Sequence, residues 1–164
     1  MTAVYMRNFD PVDDGIVARQ RRATDVLLDG TNFPIAGRQF PVGDLRYAFY
    51  YGYLPDYVST ITLDLLWTQT GGDASGNVSW VSAVAAISPG DTTRFADKAF
   101  ATANFNTTAA IGDQLLQKTT ISVTNTDSLA AGDLLIVRIY REPSLITCGG
   151  TAVLIAVSIN YTGV

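Results

Sequence analysis

Residues 59–68 read Ser59-Thr60-Ile61-Thr62-Leu63-Asp64-Leu65-Leu66-Trp67-Thr68. Ile61, Leu63, Leu65 and Trp67 share one parity, and Thr60, Thr62, Asp64 and Thr68 share the other. Successive side chains of an extended chain point to opposite faces, so this run is a strand with one face buried and one wet. The pattern recurs on both sides. Toward the N-terminus, Tyr47, Phe49, Tyr51 and Tyr53 alternate. Toward the C-terminus, Val78–Ile87 is a strand stopped by Ser88-Pro89-Gly90-Asp91. Leu115, Gln117, Thr119, Ile121 and Val123 then alternate, followed by Leu135, Val137 and Ile139, and by Val153, Ile155, Val157, Ile159 and Tyr161. Gly71–Gly76, Asn125–Ser128, Ala131-Gly132-Asp133 and Cys148-Gly149-Gly150 supply the turns between runs. Residues 92–112 are weaker, with Phe95, Phe100 and Phe105 spaced by five, and suit a short strand pair or an irregular crossing.

These runs predict an all-β chain: an antiparallel β-sandwich or jelly-roll-like domain over residues 39–164. Composition agrees. Lysine occurs only at 98 and 118, and Glu142 is the sole glutamate, so the residues that favour exposed helix faces are scarce. Residues 1–38 differ. They are rich in Asp, Arg, Gly and Pro, and they predict an extended N-terminal arm with little regular structure. Within the arm, Asp25–Asp29 fits a short strand or one helical turn, while Asp29-Gly30 and Phe33-Pro34 are turn signals.

The 164 residues suffice for one domain with a sizeable core. Histidine is absent, which removes Ser-His-Asp and Cys-His nucleophile activation and every His-containing zinc site. A single cysteine, Cys148, rules out an intrachain disulfide and Cys-cluster metal sites, and without a histidine to activate it a buried or semi-buried thiol in a loop is expected. No glycine-rich phosphate loop occurs. The net charge of -4 speaks against nucleic-acid partners. The charge is uneven: six arginines balance six aspartates in residues 1–55, and the remainder carries five bases against nine acids. No signal-peptide pattern and no membrane-length apolar run is visible, so a soluble product made in the cytoplasm, with no membrane partner, is expected. Asp13-Asp14, Asp73 with Asn77, and Asp91 offer oxygen ligands but match no spaced calcium loop. No carboxylate pair is singled out for glycosidase chemistry. The expectation is a non-enzymatic protein with no cofactor and no metal.

Two features are candidates for partner binding. The aromatic run Arg46–Tyr57 suits a stacking platform for sugar or a strip for a protein partner. Burial requires same-parity spacing, so Tyr47, Phe49, Tyr51 and Tyr53 are expected in the core, leaving Tyr50 and Tyr57 as the exposed candidates. The basic cluster Arg19, Arg21 and Arg22 suits an acidic partner surface through bidentate carboxylate pairs.

Two blocks carry a resemblance. The first runs from Ser59–Trp67 through the glycine-rich loop to Asn77-Val78-Ser79-Trp80 and Ser88-Pro89-Gly90-Asp91. The second holds Thr119–Asn125, Leu129-Ala130-Ala131-Gly132-Asp133-Leu134, Arg138-Ile139-Tyr140-Arg141 and the Val/Ile-rich strand ending at Tyr161. In strand order and turn placement they resemble the small β-sandwich virion proteins of tailed bacteriophages, the capsid cement or decoration proteins among them. The resemblance covers roughly residues 45–164 and contains no catalytic motif. It implies a jelly-roll-like module, commonly a homo-oligomer (trimer), on the capsid surface of the virion, bridging copies of the major capsid protein. A carbohydrate- or receptor-binding β-sandwich module of a phage tail or fibre is the alternative expectation.

Overall fold

A computed structural model describes residues 2–5, 7–8, 23–28, 34–71, 76–92 and 97–163. In chain order the strands are β1 (Thr2–Tyr5), β2 (Arg7–Asn8), β3 (Thr24–Leu28), β4 (Ile35–Phe40), β5 (Tyr47–Leu54), β6 (Tyr57–Thr70), β7 (Asn77–Ile87), β8 (Asn104–Ala109), β9 (Gln117–Val123), β10 (Asp133–Arg141) and β11 (Thr151–Gly163). One turn of 3-10 helix, Pro143–Leu145, interrupts the connection from β10 to β11. No described helix is long and apolar enough to cross a membrane.

All strand pairs are antiparallel, in two sheets. The first sheet has the order β3-β4-β11-β6-β9, with β1 also pairing to β11; the second has the order β2-β5-β10-β7-β8. Set β1–β3 aside and the eight strands β4–β11 form two four-stranded sheets, β4-β11-β6-β9 and β5-β10-β7-β8. The chain changes sheet at every connection except β7 to β8. That is the jelly roll, the predicted class.

The core lies where the alternation places it. Ile61, Leu63, Leu65 and Trp67 from β6 face Leu135, Val137 and Ile139 from β10 across the interior, all fully buried. Two indoles occupy the middle: Trp67 and Trp80 meet edge to face at 5.8 Å, and Phe40 caps Trp80 at 5.1 Å. The Trp67 indole N–H donates to Thr119 Oγ1 at 2.8 Å, so its polar atom is satisfied within the core. Cys148 is buried, as expected.

Three expectations are corrected. First, the described part of residues 1–38 is not without regular structure. β1 pairs with β11, β2 pairs with β5, and β3 pairs with β4, so the front of the chain adds strands to both sheets and the boundary at 38/39 falls inside β4. Each of these strands is five residues or fewer, too short for alternation to stand out in the sequence.

Second, the inward parity of β11 changes along its length. Ala152 and Leu154 join the core, then Val157, Ile159 and Tyr161 do, with a register shift against β6 between Leu154 and Ala156. An irregularity of this kind inserts one residue and moves every following side chain to the other face. Ile155, at the shift, is only half-buried. The third correction concerns β5 and decides where the candidate site lies.

Candidate functional site

β5 is aromatic-rich and reads as a strand on propensity alone. Its buried face is Ala48, Tyr50, Gly52 and Leu54, the opposite parity to the expected one. Tyr50 is 6% exposed, whereas Tyr53 is 60% exposed. The interior already holds the two indoles and Phe40. Small residues at 48 and 52 leave them room, and four further large rings would overfill the core. Tyr50 is thus an interior residue. Burial pushes its hydroxyl up to about 12, with Arg38 lowering it and Asp25 raising it. Tyr57 is half-buried, packs against the core and stacks on Tyr161 at 6.1 Å. The expected exposure of Tyr50 and Tyr57 is therefore corrected. Arg19, Arg21 and Arg22 lie outside the described residues.

The aromatic parity instead forms the outer face of the second sheet. Register sets Tyr47 beside Tyr140, Phe49 beside Arg138, Tyr51 beside Ile136 and Tyr53 beside Leu134. On the other side of β10, Arg138 pairs with Ala83 and Ile136 with Ala85, so small side chains flank the arginine there. Tyr47 stacks on Tyr140 at 5.3 Å and on Phe49 at 6.5 Å. Burial raises the Tyr140 hydroxyl pKa, and the nearby Glu142 charge adds to the rise while Arg138 opposes it.

A strap between β7 and β8 borders this face. Lys98 reaches Asp91 at 3.6 Å and Asp127 at 3.8 Å, and the Ala101 N–H donates to the Val84 carbonyl at 2.8 Å. Between these anchors Phe100 turns over the sheet and meets Phe49 at 6.2 Å. Arg138 lies among the rings, its Cζ 4.5 Å from the Phe100 centroid, 5.3 Å from Tyr47 and 5.9 Å from Tyr140. Sequence reasoning missed Phe100 and Arg138. The available signal was that Arg138 sits on the outward parity of a strand whose other outward positions, Leu134, Ile136 and Tyr140, are apolar or aromatic.

The outer face of the first sheet is a contrast. Asp64 accepts from Thr120, from Lys118 at 3.2 Å and from Asn160 at 3.1 Å, tying β6, β9 and β11 together with polar groups. Burial alone would raise the Asp64 pKa, but these donors outweigh it and the net shift is downward. Polar pairs across strands are the ordinary solvated surface of a sandwich. The aromatic face on the second sheet is not.

No protein-family model matches the chain, and no curated protein matches it. Solved structures do. The chain is similar to the family 11 carbohydrate-binding module from Clostridium thermocellum in complex with a beta-1,3-1,4-mixed-linked tetrasaccharide, at 8% identity over 98% of each chain with a TM-score of 0.48. It is similar to the family 11 module of the cellulosomal cellulase Lic26A-Cel5E of the same organism, at 6% identity over 97% of this chain and 89% of that one, with a TM-score of 0.48. A third is TmCBM61 in complex with beta-1,4-galactotriose, at 7% identity over 77% of this chain and 71% of that one, with a TM-score of 0.38. At these identities no residue role is carried over from them to this chain.

Proposed function

We propose that the chain is a non-catalytic carbohydrate-binding module whose ligand lies along the outer face of β5 and β10. The observation that carries this reading is the parity of β5: Tyr47, Phe49, Tyr51 and Tyr53 point away from a core that has no need of them. Planar aromatic rings offer large, rigid, amphipathic contact area at a low cost in side-chain entropy, which suits the apolar faces of sugar rings. The exposed Tyr53 supplies the open part of this surface, next to the half-buried Tyr51.

Affinity electrophoresis against a panel of soluble polysaccharides tests it. At least one polymer should retard the protein. Tyr53→Ala should reduce that retardation about tenfold with an unchanged melting temperature, since removing one stacked ring costs about 1–2 kcal/mol of binding. Tyr50→Ala should instead unfold more easily, because it empties a core site at a cost of roughly 3–5 kcal/mol. Retardation by no polymer, or by all polymers equally in Tyr53→Ala, sinks the reading.

A second reading is a virion protein on the capsid surface, bound to the major capsid protein as a homo-oligomer. The loop from β8 to β9 favours it, because Ile111, Leu115 and Leu116 are all exposed there and a protein partner would cover them. Light scattering that gives a trimer, with the protein present in purified particles at a copy number near that of the capsid protein, supports this reading. A monomer absent from particles removes it.

A further inference from the structure

Arg138 is held unlike the other arginines of known surroundings. Arg38 pairs with Asp25 at 2.9 Å, Arg46 pairs with Asp44 at 2.8 Å, and Arg141 donates to three carbonyls. Arg138 has no hydrogen bond and no ion pair among the described residues; its neighbours are the rings of Phe100, Tyr47 and Tyr140. Its Nε is buried without a partner. β5 and β10 put no other charge on this face: the outward residues of β5 are aromatic, and those of β10 besides Arg138 are Leu134, Ile136 and Tyr140. In a chain of net charge -4, β5 and β10 thus hold among their rings a positive charge that no described residue pairs.

A guanidinium is a planar fork of five donors and no acceptors. The rings crowd around its plane and Nε is enclosed, so the edge formed by Nη1 and Nη2 is the part left to a ligand. A carboxylate meets such an edge in plane with two parallel N–H···O bonds. We infer that the ligand of the aromatic face is an acidic polysaccharide, with a uronate carboxylate seated on the Nη edge of Arg138 and its sugar rings on the tyrosines of β5. The inference rests on the carbohydrate reading above and narrows it to one chemical class. The strap serves that site: Lys98 anchors it to Asp91 and Asp127, and Phe100 then holds the guanidinium flat, so less rotamer freedom is lost when the carboxylate arrives.

The test uses the full chain and titrates polygalacturonate, alginate and hyaluronate, each beside its carboxyl-reduced form, by isothermal calorimetry. At least one acid polymer should bind about 10- to 100-fold more tightly than its reduced partner, the range expected for a hydrogen-bonded charged pair. The preference should shrink as salt rises. Arg138→Gln should bind the acid and reduced polymers alike. Arg138→Lys keeps the charge without the fork and should retain only part of the preference, which covers the case in which Arg138→Gln fails to fold. Equal binding of acid and reduced polymers by the natural protein overturns the inference and leaves the carbohydrate reading standing. Binding of neither form overturns the inference, and the carbohydrate reading falls with it only where no polymer of the wider panel retards the protein.

Discussion

At the residue scale, two tyrosines on opposite sheets keep their protons for different reasons. Burial pushes the Tyr50 hydroxyl up to about 12. Tyr161 donates to Asp56 in the turn from β5 to β6, and that bond, helped by burial, pushes it up to about 12 as well. In the unfolded chain both phenols ionise near pH 10. Above that pH the unfolded state holds fewer protons than the folded one, so stability is intact below about pH 10 and falls as pH rises toward 12. Alkaline titration followed by phenolate absorbance should show these two hydroxyls ionising together with unfolding. Tyr161→Phe should make the alkaline loss shallower; a titration in which both ionise near pH 10 with the fold intact removes the argument. Tyr50 also shows where the sequence stops being legible. Parity along Tyr47–Tyr53 is plain, but which parity faces inward depends on the volume already taken by Trp67, Trp80 and Phe40, and these come from three other strands.

At the scale of elements, the long strands were readable, but which face is buried was plain only where polar residues line the other. β6 and β9 alternate cleanly because threonine, serine, aspartate or lysine interrupts their apolar runs. β11 defeats a single parity through the irregularity beside Ile155. Its connection to β10 depends on a side chain rather than on a ladder. Arg141, 1% exposed at the end of β10, donates to the carbonyls of Phe40 at 3.1 Å, Cys148 at 2.9 Å and Gly150 at 2.7 Å. One side chain thus joins the end of β4, the end of β10 and the loop before β11. Burial lowers its pKa, with Cys148 opposing. Arg141→Leu should cost about 3–5 kcal/mol, since it strands three buried carbonyls. Arg141→Lys should not restore them, because an ammonium lacks the fork. Urea unfolding measures both; a loss under about 1 kcal/mol would show that water replaces the guanidinium.

At the scale of the molecule, β1, β2 and β3 belong to the sandwich. β1 lies on the half of β11 that β4 leaves uncovered, and β2 edges β5 next to the aromatic face. Removing residues 1–8 should cost about 2 kcal/mol and lower the melting temperature by roughly 4–8 °C. The opened edges should also promote self-association, visible in gel filtration. An unchanged melting temperature would restore the idea of an independent arm. The sequence concealed this because two- and four-residue strands carry too few positions to show a period, so only the register on β11 and β5 reveals them. That register also has a geometric consequence. Thr2 sits across from Tyr161, so the first strand and the last lie side by side, about 5 Å apart. A domain whose first and last strands lie side by side this way fits into a surface loop of another protein without prying it open, and it tolerates a link made between those strands with a new break in a turn.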